Sequence, residues 1–224
     1  MATAVPESPE RNETLAPRPG PSADPTIDVV ILTWNDGPLL ERAMASVLAS
    51  TGVNPRIVVV DNGSDIPVTV PEGVTLLTNA SNRGVAAGRN QGIAVGSAPF
   101  VLLLDSDARL EPASLRRLHD ALQKTGCSMT VPVFIDQDPE QSAGRAPGLI
   151  TKLRRTVNLT VRYRPMAGSG PSTTSWPVDF GIGACQFFTR DVWRQVHGID
   201  ERYFYGPEDV DFCLRIIDAG HQIR

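Results

Sequence analysis

Two aspartates, Asp105 and Asp107, stand together where a short apolar run ends, in the stretch VLLLDSDARL that begins at residue 101. Residues two apart on an extended strand project to the same side. Two carboxylates held together repel each other unless a cation lies nearby, and their hard oxygens suit Mg²⁺ or Mn²⁺, which also binds phosphate oxygens. The pair therefore predicts a divalent-cation site for a phosphorylated ligand.

A structural explanation of this pair competes with the metal hypothesis. Asp107 could cap the following helix, with Asp105 left as a solvated strand end. However, Pro112 and Ala113 place the start of that helix several residues downstream, which is too far for a direct cap. The sequence therefore favours the metal site.

A second group of acids, Glu208, Asp209 and Asp211, lies in the stretch YFYGPEDVDFCLRIIDAG. Pro207 suits the first turn of a helix, and the helix dipole keeps a carboxylate there ionised, as a general base or an electrostatic partner requires. Acids are also common at helix starts only because they stabilise the helix, so both explanations stay open for Glu208 and Asp211. The predicted apolar face of this helix consists of Val210, Cys213, Leu214 and Ile217.

The elements that must position these acids alternate along the chain. Four apolar runs are predicted to be strands: TIDVVILT, RIVVVD, VTLLT and FVLLLD. Between them lie two segments with helical spacing, GPLLERAMASVLAS and VAAGRNQGIAVG. Continuously apolar strands that alternate with helices indicate a mostly parallel sheet covered on both faces.

Polar residues follow each predicted strand, where an open parallel sheet binds its ligand. Each of them taken alone is an ordinary turn residue. Their repetition at four strand ends predicts that they converge on one crevice. They are Thr33 and Asn35, then Asp61 to Ser64, then Asn82 to Gly84, then Asp105 and Asp107.

The composition limits the class of protein. A chain of 224 residues that is 41% hydrophobic can build one sizeable core, and its net charge of −4 argues against a nucleic-acid partner held by overall charge. The widely spaced cysteines lack a CxxC pair, which fits a reducing cytoplasm without disulfides or a zinc site. No apolar run is long enough to span a membrane, and no signal segment is visible. We therefore expect a cytoplasmic protein, at most peripheral at the inner face of a membrane.

The N-terminal region differs in composition from the rest. Residues 1–25 are crowded with proline and poor in large apolar side chains, so they are predicted to form a disordered tail. Residues 26–224 are predicted to form one domain. Cys185 and Cys213 lie among apolar neighbours and are expected to be core residues rather than nucleophiles.

The order of several motifs carries a resemblance to a known family. They are VVILTWN, IVVVDNGSD, NASNRGVAAGRNQGI, FVLLLDSDARLEP, GIGACQFFTRDVW and HGIDERYFYGPEDVDFCLRIIDAG. From about Thr26 onward the chain resembles a family 2 inverting glycosyltransferase of the bacterial rhamnosyltransferase-like, surface-polysaccharide group. The resemblance implies an α/β, Rossmann-like GT-A fold, a mostly parallel mixed sheet flanked by helices.

The resemblance also implies a role for each candidate residue. Asp105 and Asp107 of the DSD motif would bind the metal and the diphosphate of a nucleotide sugar. Glu208 and Asp209 of the ED motif would supply the catalytic base. The remaining donor-binding residues would be Thr33, Asn35 and Asp61 around the nucleoside, with Asp61 near its base, and Asn82 and Arg89 near the ribose and diphosphate. For Arg89, a solvated position on a helix face is the alternative.

The mechanism that the resemblance implies is a single displacement with inversion. Asp209 would take a proton from an acceptor hydroxyl as that oxygen attacks the anomeric carbon, while the metal stabilises the departing nucleoside diphosphate. A retaining mechanism would need a nucleophile that the sequence does not reveal. The preferred donor is a UDP or dTDP sugar, and the acceptor is a glycan, a lipid-linked or a small molecule.

A basic segment lies between the sheet and the ED motif. Residues 141–178 contain no acid, and the basic residues of 145–164 could contact an acceptor diphosphate or an anionic membrane surface. A solvated, mobile acceptor loop is the alternative. The basic side chains are Arg145, Lys152, Arg154, Arg155, Arg162 and Arg164.

Three other classes of protein compete with this interpretation. A haloacid-dehalogenase-type phosphatase would carry Thr or Val where this chain has Arg109, and a nicotinamide-dependent enzyme would need a GxGxxG fingerprint that is missing after the first strand. The serious alternative is a non-catalytic nucleotide-sugar binder that lacks a complete acceptor half. Relatives usually continue beyond GHQIR to a metal-ligating histidine, and His221 is expected to be too early to be that ligand. Either the domain is truncated at its C-terminal end, or the third metal ligand is water or absent.

Overall fold

A computed structural model describes residues 24–135, 143–144 and 175–224 of the chain. Two of the sequence predictions fall largely outside the described residues. These are the disordered tail, of which only Asp24 and Pro25 are described, and the basic segment 145–164.

The described elements alternate between strands and helices up to the third helix, as the sequence predicts. In chain order they are β1 (Thr26–Thr33), α1 (Gly37–Leu48), β2 (Asn54–Asp61), β3 (Thr75–Thr78), α2 (Val85–Val95), β4 (Phe100–Asp105), α3 (Ser114–Thr125), β5 (Met129–Thr130), β6 (Ala143–Gly144), β7 (Phe180–Gly181), β8 (Cys185–Thr189), α4 (Arg190–Gln195) and α5 (Glu208–Asp218).

The main sheet has six strands in the order β3-β2-β1-β4-β8-β5. β1 pairs in parallel with both β2 and β4, and β2 pairs in parallel with β3, whereas β8 runs antiparallel to β4 and β5. In this register Thr33 lies opposite Asp61, and Leu32 lies opposite Asp105. The predicted mostly parallel mixed sheet is confirmed, and the predicted polar strand ends meet at one edge.

Both faces of the sheet are covered by helices. Alternate residues of β1 divide between two apolar clusters, with Val29 and Ile31 on one face and Val30 on the other. Helices α1 and α3 pack on the first face through side chains such as Leu40 and Leu115. Helices α2, α4 and α5 pack on the second face. The continuously apolar strands are therefore explained by burial on both sides.

The buried face of α5 differs from the predicted one. Phe212, Cys213 and Ile216 are fully buried, while Val210 and Leu214 are only partly covered. The Phe212 ring packs edge-on against Phe188, with the ring centroids 5.3 Å apart. This large aromatic side chain sets the rotation of the helix, because it buries more apolar area than the aliphatic side chains. Glu208, one turn before Phe212, is consequently buried on the same face.

A buried ion pair closes the amino-terminal edge of the sheet. Arg190 Nη2 lies 2.7 Å from Asp28 Oδ2, and the two side chains are 3% and 2% exposed. Arg190 also donates to the carbonyl oxygens of Ile93 and Ala98. Asp28 additionally accepts from the Ala98 N–H and from Arg56. This pair holds the start of α4 against β1, on the opposite edge from the predicted site.

Candidate active site

Asp105 and Asp107 follow directly from β4 at the carboxyl edge of the sheet. The Asp105 side chain is 39% exposed and Asp107 is exposed. Helix α3 begins at Ser114 with Ala113 as its N-cap residue, so the alternative in which Asp107 caps this helix is wrong. Within the described ranges the Asp107 carboxylate has no hydrogen-bond or ion-pair partner, and it is free to bind a ligand.

The chemistry of this pair fits a divalent cation that keeps several non-protein ligands. Asp105 Oδ1 accepts a hydrogen bond from Arg89, whereas Oδ2 has no donor among the described residues. The same part of the chain holds no group of three or more His, Cys, Asp and Glu side chains that could bind a metal. Two carboxylates suffice for Mg²⁺ or Mn²⁺, because these ions take their remaining ligands from water and substrate phosphates.

The three acids at the start of α5 have separate surroundings. Asp211 pairs with Arg215 one turn later, at 2.7 Å. The Glu208 side chain is 8% exposed, and its Oε1 lies 3.2 Å from Arg89 Nη1. Glu208 Oε2 is buried and finds no partner in the described part of the chain. Among the described residues, Asp209 accepts hydrogen bonds only from two backbone N–H groups, those of Gly183 and Val210, both at 2.8 Å.

Arg89 connects the two acidic motifs. Its side chain is 6% exposed, so the alternative in which Arg89 is solvated on a helix face is wrong. Nη2 donates to Asp105 Oδ1 at 2.7 Å and to the Gly183 carbonyl oxygen at 3.0 Å, while Nη1 donates to Glu208 Oε1. Glycines make this approach possible, since a Cβ on Gly88 would collide with the Leu32 side chain beneath α2.

The three residues predicted to line the nucleoside pocket lie together at the ends of β1 and β2. Asp61 is buried, and its Oδ1 accepts from the N–H of Ser64 at 2.9 Å. The buried Thr33 hydroxyl has no hydrogen-bond partner in the ranges that the structure covers. Asn35 has a left-handed φ of 62° and donates its N–H to Ser64 Oγ at 2.8 Å. The structure therefore brings Thr33, Asn35 and Asp61 together at one edge of the sheet.

Asn82 belongs to a small amide network that the sequence did not reveal. Its Oδ1 accepts from Asn62 Nδ2 at 2.9 Å and from the Gly84 N–H at 2.9 Å. Asn62 uses its whole amide, because Nδ2 also donates to the Gly84 carbonyl and Oδ1 accepts from Asn79 and Arg83. The sequence signal was the position of Asn62 directly after a buried strand. This one side chain fixes the loop that carries Asn82.

The remaining candidates are structural. Burial raises the pKa of both Cys185 and Cys213 to about 12, so neither thiol is a nucleophile near neutral pH. His221 contacts Ser128 Oγ through Nδ1 and Gln195 Oε1 through Nε2, and both ring nitrogens are therefore used within the fold. Throughout the residues that the structure covers, we find no helix with the length and apolarity needed to cross a membrane.

The family model described as Glycosyl transferase family 2 matches residues 28–196. The chain belongs to glycosyl transferase family 2. The matched region runs from β1 to α4 and includes both aspartates of the DSD motif, while the ED motif lies beyond it. Membership confirms the predicted family and makes sugar transfer the supported chemistry.

Several relatives that the chain matches are sugar transferases. The chain is 30% identical to an N-acetylglucosaminyl-diphospho-decaprenol L-rhamnosyltransferase of Mycobacterium tuberculosis, over 87% of this chain and 71% of the relative. It is also 30% identical to a pre-mycofactocin glycosyltransferase of the same organism, over 93% of this chain but 43% of the relative. A dTDP-rhamnosyl transferase RfbF of Shigella flexneri is 25% identical, over 87% of this chain and 64% of the relative. The predicted rhamnosyltransferase-like grouping is therefore confirmed.

A solved structure of a sugar transferase supports the fold. It is a mannosyltransferase from Pyrobaculum calidifontis in complex with GDP-Man and Mn²⁺, with a TM-score of 0.63 and 19% sequence identity. The likeness covers 92% of this chain and 56% of that one. At this identity it shows the fold alone, and it confirms the predicted GT-A architecture.

Proposed function

We propose that this chain transfers a sugar from a UDP- or dTDP-type nucleotide sugar to an acceptor hydroxyl, with inversion and with the help of Mg²⁺ or Mn²⁺. The observation that carries the proposal is the shared guanidinium of Arg89, which joins Asp105 of the DSD motif to Glu208 of the ED motif. The two motifs proposed to supply the donor site and the base therefore lie beside each other, as a direct displacement requires.

Asp209 is the proposed general base. Among the three acids at the start of α5, Glu208 is buried against one arginine and Asp211 is paired with another. In the described structure Asp209 carries no ion pair, and two backbone N–H groups orient its carboxylate. Because no cation is paired with it there, the Asp209 carboxylate is available to take the proton from the acceptor hydroxyl.

Asp105 and Asp107 are the proposed cation ligands. Asp107 is exposed and has no partner within the described ranges, nor has Oδ2 of Asp105, and these carboxylates would supply the hard oxygens that such an ion prefers. When bound there, the cation would neutralise negative charge on the departing diphosphate. Thr33, Asn35 and Asp61 are proposed to hold the nucleoside. Asn82 and Arg89 are proposed to complete the ribose and diphosphate side of the donor site.

The acceptor is proposed to be a glycan, a lipid-linked molecule or a small molecule. Support comes from the relatives, one of which is a rhamnosyltransferase named for a diphospho-decaprenol compound. The basic residues within 145–164 are proposed to contact an acceptor diphosphate or an anionic membrane surface from the cytoplasmic side. A role in building surface polysaccharides follows from the same relatives.

Calorimetry of UDP and dTDP binding, with and without Mn²⁺, tests the donor site. We expect nucleotide binding that depends on Mn²⁺ and that Asp107→Ala abolishes. The matched control is Asp218→Ala, an exposed acid at the far end of α5, which should leave binding unchanged. Failure of both nucleotides to bind under any metal condition would overturn the proposed donor site. Binding without turnover would favour a non-catalytic nucleotide-sugar binder.

A further inference from the structure

One buried guanidinium serves two carboxylates in this site. Arg89 reaches Asp105 at 2.7 Å and Glu208 at 3.2 Å, and Glu208 is nearly as buried as Arg89 itself. The positive charge is therefore divided between two negative ones. The hydrogen bonding of Glu208 is incomplete, because its buried Oε2 has no partner among the described residues. Any change at one carboxylate must alter how strongly Arg89 binds the other.

We propose that Arg89 is a positioning residue that competes with the divalent cation for Asp105, and that Glu208 raises cation affinity by drawing Arg89 away from Asp105. This inference rests on the proposed cation site at Asp105 and Asp107. Glu208 contacts Arg89 and is not itself a proposed ligand. Its influence on the cation passes through the shared guanidinium and through the negative charge that it adds nearby.

The same contacts extend to the proposed base. Gly183 accepts a hydrogen bond from Arg89 through its carbonyl oxygen and donates its N–H to Asp209. A movement of Arg89 therefore reaches Asp209 through one residue. Gly183 has no room for a side chain, because a Cβ there would lie 2.7 Å from Arg89 Nη1. Occupancy of the cation site and the position of the base are thus coupled.

The coupling predicts opposite signs for two substitutions. In Glu208→Gln, Arg89 loses one charged partner and binds Asp105 more strongly, so cation affinity falls. In Arg89→Gln, Asp105 loses its competitor and the site becomes more negative, so cation affinity rises. An arginine that only supports the fold would leave cation affinity unchanged when replaced, and one whose contact with the donor phosphate outweighed its competition for Asp105 would lower it.

The experiment titrates Mn²⁺ into the whole chain in the presence of UDP and follows free Mn²⁺ by electron paramagnetic resonance. Each variant is first shown to be folded by its melting curve. We expect Glu208→Gln to weaken, and Arg89→Gln to strengthen, Mn²⁺ binding by about fivefold or more. The control is Glu201→Gln, an exposed acid that accepts a hydrogen bond from Asn90 and should leave the Mn²⁺ affinity unchanged.

Three outcomes would overturn the inference. Equal Mn²⁺ affinity in wild type and Glu208→Gln, or an unchanged or weaker affinity in Arg89→Gln, overturns the coupling while leaving the cation site intact. UDP binding without any Mn²⁺ binding to wild type overturns the proposed cation site and the coupling together. If Arg89→Gln does not fold, Arg89→Lys is tested in its place, and the inference is then judged by whether Glu208→Gln weakens Mn²⁺ binding.

Discussion

Two buried arginines lie at opposite edges of the same sheet and are satisfied to different degrees. At the amino edge, each of the three guanidinium nitrogens of Arg190 donates a hydrogen bond, Nη2 to Asp28 Oδ2 and the other two to backbone carbonyl oxygens. Both oxygens of Asp28 accept hydrogen bonds, Oδ1 from Arg56 and Oδ2 from Arg190 and the Ala98 N–H. At the carboxyl edge, Arg89 is shared between Asp105 and Glu208, one carboxylate oxygen is buried without a partner in the described structure, and Asp105 is 39% exposed.

The difference separates a structural ion pair from a candidate functional one. Burying a charge pair is costly unless further hydrogen bonds satisfy its donors and acceptors, as they do around Arg190 and Asp28. Incomplete pairing leaves charge and hydrogen-bonding capacity for something else to satisfy, as in many binding and catalytic sites. We therefore expect damage at the amino edge to reduce stability, and damage at the carboxyl edge to reduce function.

Removing the proposed base should produce the largest effect. Asp209→Asn keeps the shape of the side chain but cannot accept the acceptor proton, so turnover should fall by about 10²–10⁴-fold. Release of UDP or dTDP from the matching nucleotide sugar measures this rate. The free energy of unfolding and nucleotide affinity should stay close to wild type. Asp211→Asn is the control, since it loses only the partly buried pair with Arg215 one turn along α5, a type of helical pair worth about 0.5 kcal/mol. Equal rates for Asp209→Asn and wild type would exclude Asp209 as the base.

Breaking the buried pair of Arg190 and Asp28 should lower the free energy of unfolding without changing nucleotide binding. Asp28→Asn leaves the buried Arg190 charge without its counter-ion, and we expect the free energy of unfolding to fall by about 3–5 kcal/mol. Urea denaturation measures the loss. Arg56→Met is the control, because the Arg56 side chain is 49% exposed and its pair with Asp28 should contribute less than about 1 kcal/mol. A change in the nucleotide affinity of folded Asp28→Asn would contradict the division between the two edges.

Adding a side chain at Gly183, at the carboxyl edge of the sheet, should reduce turnover by less than the loss of the proposed base. A Cβ on Gly183 would force Arg89 or the backbone of residue 183 to move. Once shifted, the backbone N–H of residue 183 would no longer orient the Asp209 carboxylate. We expect Gly183→Ala to reduce turnover by about 10²-fold through misplacement of the base. Gly37→Ala serves as the control, because nothing lies within 4 Å of a Cβ at that position. Turnover of Gly183→Ala at the wild-type rate would show that this contact does not position Asp209.

Replacing Thr33 should give the smallest effect and test the nucleoside prediction. Its buried hydroxyl has no partner in the described chain, so Thr33→Val should leave the free energy of unfolding unchanged or slightly higher. If that hydroxyl bonds the nucleoside, affinity for UDP or dTDP should fall about tenfold, the equivalent of one hydrogen bond. Calorimetry measures this nucleotide affinity. Thr78→Val is the control, because Thr78 is an exposed threonine at the end of β3. Unchanged affinity would remove Thr33 from the donor site.

Most of the parallel half of the sheet could be predicted from the sequence. The apolar runs of β1, β2 and β4 are local patterns that a parallel sheet buried on both faces explains, and their polar ends follow from its topology. Pro112 and Ala113 correctly placed the start of α3 beyond the reach of Asp107. The antiparallel β8 was not predicted, because its pairing with β4 brings together segments far apart in the chain.

The contacts within the site were harder to predict than its location. Whether Arg89 is solvated or buried depends on how closely α2 approaches the sheet, which Gly88 decides together with Leu32 beneath it. Glu208 and Asp209 are adjacent in sequence, and only the rotation of α5 separates a buried acid from an accessible one. Side-chain networks across several loops, such as the one around Asn62, leave no periodic pattern in the sequence.

The saturated amide of Asn62 has a consequence for engineering. Because this residue on the β2 side holds Asn79, Arg83 and Gly84 in place, the loop between β3 and α2 is not a self-contained module. A chimaera that imports this loop from a relative to change donor choice must bring a matching residue at position 62. Otherwise the grafted segment loses the side chain that shapes it, whatever its own sequence.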